Sequence, residues 1–113
     1  MMREKAIPVK IKSIPDLVRL ALSMSNVTSR VYIIHFNKGD KHFYGLLVTF
    51  RDYYKYYGLP IFYFVETLEE LKGKYLTLQY DGSEKLVVSE KPLSGYISIP
   101  IINLGEEPPF LEM

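Results

Sequence analysis

Residues 29 to 50, SRVYIIHFNKGDKHFYGLLVTF, read as two strands joined by the tight turn NKGD, a hairpin signal in which β-branched and aromatic runs meet across a glycine. Their composition decides more than the hairpin. Residues 31 to 36 and 43 to 50 are apolar or aromatic at odd and even positions alike, and so are residues 61 to 65. A strand with one wet face alternates; a strand without alternation is buried on both sides. This stretch therefore predicts a sheet covered on both faces.

Upstream, AIPVKIK (6 to 12) does alternate, setting Ile7, Val9 and Ile11 against Pro8, Lys10 and Lys12. Pro8 cannot donate to a ladder and the lysines discourage docking by foreign strands, so this segment reads as an edge strand. The period then changes. Ile14, Leu17, Val18, Leu20, Ala21 and Met24 form one apolar stripe opposite Arg19 and Ser23, a helix over about 14 to 24. Ser13 with Asp16 gives a capping-box-like start, and Pro15 is tolerated in a first turn.

Downstream, LPIFYFVE is a third β-rich run. Thr67, Glu70 and Gly73 bracket a short helix near 68 to 72. KYLTLQY, Asp81-Gly82 and EKLVVS make a second hairpin whose register stays open between two-residue and four-residue loops. YISIPIIN is a last strand, placed at an edge or a bulge by Pro100. LGEEPPFLEM, about 105 to 113, reads as an extended tail.

The sum is a single α+β domain over 1 to 113, with about six or seven mainly antiparallel strands. A twelve-residue helix is about 18 Å long, whereas seven flat strands span about 29 Å. One helix cannot cover such a sheet. The expectation is a strongly curved, possibly barrel-like sheet around the main helix, with a homodimer burying what is left.

Composition bounds the class. The chain has 113 residues, 48% of them hydrophobic, and no cysteine, which removes disulfides and thiolate zinc sites and fits a cytoplasmic setting. MMREKAIPVKIK lacks the apolar core of a signal peptide, and no run is long enough for a membrane helix. One glutamine and three asparagines match the scarcity of thermolabile side chains in proteins from hot environments. A net charge of +1 gives no strong field toward a polyanion.

Two groups of residues carry candidate chemistry. In RDYYKYYGLP (51 to 60), Arg51, Tyr53, Tyr54, Lys55, Tyr56 and Tyr57 supply rings for stacking bases and cations for phosphates, the ingredients of single-stranded nucleic-acid binding. The same tyrosines suit a packing or dimer surface, and the near-neutral charge favours that reading. His35 and His42 flank the turn; a two-residue turn sets them opposite one another with Asp40 close by, the beginning of a metal or enzyme site. A catalytic zinc wants three protein ligands and no third stands at standard spacing, so neither a metal nor another cofactor is expected. Two imidazoles at close range also make a hairpin sensitive to pH. Ser23 and Ser25 lack a nucleophile elbow, Glu66, Glu69 and Glu70 serve the short helix, and Gly45 marks a bulge or bend. The reading this leaves is a non-enzymatic interaction module that forms a homodimer through aromatic strands.

Overall fold

Hairpin chemistry sets the centre of the sheet, and the rest is added by two parallel pairings that local patterns do not announce. The computed structural model describes residues 5–25, 31–48 and 60–111. In chain order these form β1 (Ile7–Lys10), α1 (Ile14–Ser25), β2 (Ile33–Lys38), β3 (Lys41–Val48), β4 (Ile61–Thr67), β5 (Tyr75–Asp81), β6 (Ser83–Ser89) and β7 (Ser98–Gly105). The spatial order is β1-β4-β3-β2-β7-β5-β6.

The fold is α+β as expected, but the sheet is neither barrel-like nor mainly antiparallel. β1 and β6 end it on opposite sides without meeting, so it is open. It is also mixed: β1 runs parallel to β4 and β2 parallel to β7. The first of these follows from α1, which carries the chain from the β1 edge, past β4 and β3, to β2. Such a crossover returns a strand in the same direction, whereas a tight turn reverses it.

Pro100 sits in the interior of the sheet, not at an edge. β7 pairs through Ser98 to Pro100 with β5 and from Ile101 onward with β2, so the proline occupies the point where the strand changes neighbour. No ladder donor is lost there, and Ile101 N–H already goes to the Lys74 carbonyl at 2.9 Å.

The helix begins as its cap predicts. Ser13 Oγ accepts the Asp16 N–H at 3.3 Å and donates to Asp16 Oδ2 at 2.9 Å, and Leu17, Val18 and Ala21 are buried on the sheet. They join Ile33, Tyr44, Leu46, Val48, Val65, Leu76, Leu78, Ile99 and Ile101 in one core. The expected helix at 68 to 72 does not form. Thr67 Oγ1 takes the Glu69 N–H and the Tyr44 hydroxyl takes that of Leu71, while five residues are too few to nucleate a helix unaided. Gly73 serves a close approach instead, since a Cβ there would meet Val88 Cγ1 at 2.6 Å.

On the opposite face, Ile34, Phe36, Phe43, Phe62 and Phe64 form a second core with Ala6 and Leu111. The second hairpin resolves to Leu76↔Val88, Leu78↔Leu86 and Tyr80↔Glu84, closed through Gly82 at φ 82°.

Candidate functional site

Period-two alternation puts Ile33 and His35 of β2 on the helix-covered face, together with His42, Tyr44 and Leu46 of β3. The two histidines are not directly opposite one another. The turn residues are Gly39 and Asp40, so His35 faces Tyr44, His42 faces Asn37, and the imidazoles are diagonal neighbours. Gly39 has φ 62° and Asp40 does not share it, the arrangement of a hairpin turn with glycine at its first central position.

The diagonal still brings the rings together. His35 Nε2 lies 3.0 Å from His42 Nδ1, their centroids are 5.2 Å apart, and His35 stacks on Tyr44 at 4.4 Å. His35 Nδ1 bonds to the Asn103 side-chain oxygen, delivered by the parallel strand β7. With that oxygen accepting, neutral His35 carries its hydrogen on Nδ1 and receives one from His42 on Nε2. The lone pair at the outer end of the chain is then His42 Nε2. His35 is 5% exposed and its two ring nitrogens are both bonded, so the buried imidazole is satisfied without any ligand.

Tyr44 completes the cluster from below. It is 1% exposed, and its hydroxyl accepts the Leu71 N–H at 2.7 Å. Burial pushes its phenol above the ordinary value, the Leu71 bond opposes this, and the nearby Glu70 carboxylate adds to it.

Asp40 does not join the histidines. It lines a cavity on the other face with Pro8, Lys38, Lys41, Phe43, Phe64 and Glu66. Among the described residues no group of three or more His, Cys, Asp or Glu side chains could hold a metal ion. Asn103, absent from the sequence reading, is the third member of the polar chain. Nothing in the local pattern pointed to it, because it arrives through a pairing between strands some seventy residues apart.

Arg51, Tyr53, Tyr54, Lys55, Tyr56 and Tyr57 lie outside the described residues. The residues that flank them are placed: Val48 pairs with Ile61 at one end of the sheet, the end at which Val31 and Tyr32 enter β2. Here Tyr32, Ile97 and Ile102 are 47%, 61% and 44% exposed, and Ser25, Val31, Ser98, Ile99 and Pro100 join them around a cavity of about 730 Å³. Among the described residues its lining carries no charge. No helix is long and apolar enough to cross a membrane among the described residues. Comparison with protein-family models, with curated proteins and with solved structures finds no match to this chain.

Proposed function

We propose that the chain is a small interaction module that forms a homodimer through the apolar end of its sheet, where Tyr32, Ile97, Pro100 and Ile102 surround an open cavity. The observation that carries this reading is the exposure of three large apolar side chains on one surface whose described lining residues carry no charge. In an isologous dimer each patch meets its own copy, so a patch bearing one sign of charge meets the same sign, and an apolar patch escapes that cost. Monomeric proteins rarely leave contiguous apolar surface of this kind open. Val48 and Pro60, the described residues on either side of the tyrosine segment, lie toward this same end of the sheet.

Light scattering or sedimentation over a hundredfold range of concentration, about the span needed to bracket a dissociation constant, tests it. A concentration-dependent dimer is expected, and Ile97→Glu with Ile102→Glu should return it to monomer with the circular dichroism spectrum retained. A parent chain that stays monomeric throughout, or a double variant that dimerises as well as the parent, overturns it.

A further inference from the structure

Four phenylalanines on the sheet face away from the helix form a closed set. Ring centroids are 5.1 Å apart for Phe36 and Phe43, 5.9 Å for Phe43 and Phe64, 6.1 Å for Phe64 and Phe62, and 6.1 Å for Phe62 and Phe36. A segment of the same chain already sits on this floor. Leu111 is buried and Phe110 is half-buried against it, Pro108 is also buried, and a Pro108 carbonyl to Leu111 N–H bond of 3.1 Å closes a β-turn with Pro109 at its second position. The turn is held by polar contacts at defined points. Ala6 N–H donates to the Phe110 carbonyl at 3.0 Å, Lys5 Nζ to the Pro109 carbonyl at 2.6 Å, and Lys38 Nζ lies 3.4 Å from Glu107 Oε1.

The floor extends beyond its occupant. Phe43 and Phe64 continue into a cavity of about 630 Å³, walled by Pro8 and rimmed by Lys38, Lys41, Asp40 and Glu66. That volume lies within the range of ligand clefts, and its mix of apolar floor and charged rim is that of a peptide groove.

We propose that this phenylalanine face is a docking groove for a segment of another protein with the chemistry carboxylate-Pro-Pro-aromatic-aliphatic, and that residues 107 to 111 occupy it in cis. The carboxylate is read by Lys38, the first proline and the aliphatic residue fill the floor, and the aromatic residue caps them at the surface. Prolines hold the partner segment extended before binding, which lowers the ordering cost. The intramolecular segment then acts as a competitor, reducing the apparent affinity by the fraction of molecules in which the groove is open. The groove lies on a different part of the sheet from the surface proposed for self-association, and the inference stands independently of it.

The test uses a fluorophore-labelled peptide GEEPPFL, residues 105 to 111, titrated with the full chain by anisotropy. Two full-length variants accompany the parent: Phe110→Ala, which removes apolar grip from the cis segment, and Glu107→Lys, which removes its ion pair without touching the core. Saturable one-to-one binding is expected, about tenfold or more tighter for either variant than for the parent. In the Phe110→Ala background, where the cis segment has lost its grip, Lys38→Glu should lower affinity for this peptide and restore it for GEKPPFL. Absence of binding to the Glu107→Lys chain with its fold retained overturns the proposal, and so does binding indifferent to the charge at position 38 in the Phe110→Ala background. Exchange of the segment between two copies, seen as dimers that free peptide cannot disrupt, also overturns it.

Discussion

Gly45 shows how one residue settles the packing of a whole face. It lies in regular register, opposite Ile34 on one side and Phe64 on the other, so it marks no bulge in the strands that flank it. The Phe62 ring crosses the space its side chain would fill; an added Cβ would stand 2.1 Å from Phe62 Cζ. Phe62 is fully buried and locked among its neighbours, so it cannot swing away. Gly45→Ala should therefore destabilise the fold by about 1–3 kcal/mol, as overpacking does. A smaller penalty in a Phe62→Leu background, measured by urea denaturation, would show that the ring is the cause; an equal penalty would point to the backbone. Tyr44 makes a second residue-scale case. Tyr44→Phe keeps the ring but leaves the Leu71 N–H without its acceptor, at about 1–3 kcal/mol. Its phenol is raised above an ordinary value of 10.0, so the folded state holds a proton that the unfolded chain releases first. That contribution is complete below pH 10 and is lost as pH rises beyond it, a decline that Tyr44→Phe should reduce in alkaline unfolding curves.

At the scale of elements, α1 depends on its first turn and on a charge cluster that fastens it to the second hairpin. Ser13→Ala removes the cap and should cost about 0.5–2 kcal/mol of stability, read as a lower thermal midpoint. Arg19 bonds to both Asp16 of its own helix and Glu84 of β6. It lowers both carboxyls below their ordinary values of 3.8 and 4.5, with Ser13 assisting at Asp16 and the Tyr80 hydroxyl at Glu84. Depressed carboxyls stabilise the fold above their unfolded values, and the contribution disappears as pH falls through the lower folded ones. Arg19→Met should accordingly flatten the acid side of the stability profile, whereas an unchanged slope would show that solvent screening has erased the pair. These elements also show what a sequence discloses. The stripe from Ile14 to Met24 and the cap at Ser13 were readable because a helix is a local object. The first hairpin was readable in outline, and its register hung on whether Gly39 stood first or second in the turn. Neither parallel pairing was visible, since nothing in β2 specifies that β7, entered some sixty residues later, will lie beside it. Asn103 was missed for the same reason. The expected helix at 68 to 72 failed because its amide groups found side-chain acceptors elsewhere in the fold.

At the scale of the molecule, β7 is the strand on which two ladders meet. The group β1-β4-β3-β2 has two long antiparallel pairings at its centre, whereas the β5-β6 hairpin joins β7 through only three residue pairs, Tyr75↔Pro100, Leu76↔Ile99 and Thr77↔Ser98. The seam is reinforced by hydroxyls. Thr77 is fully buried, its Oγ1 lies 2.7 Å from Ser98 Oγ, and that same oxygen accepts the Leu93 N–H at 2.9 Å. Stability in such a sheet is not uniform, because a unit with a short seam opens at less than the global cost. Native-state hydrogen exchange in low denaturant should show the amides of β5 and β6 opening together, below the free energy at which those of β3 and β4 open. Ser98→Ala leaves the Thr77 hydroxyl and the Leu93 amide without their partner, so it should lower the β5-β6 opening by about 1–3 kcal/mol. If the hairpin opens as a separate unit, that change leaves the exchange isotherms of β3 and β4 less affected than those of β5 and β6. Coincident isotherms for all strands, shifting by the same amount in the variant, would show instead that β7 couples the two ladders into one cooperative sheet.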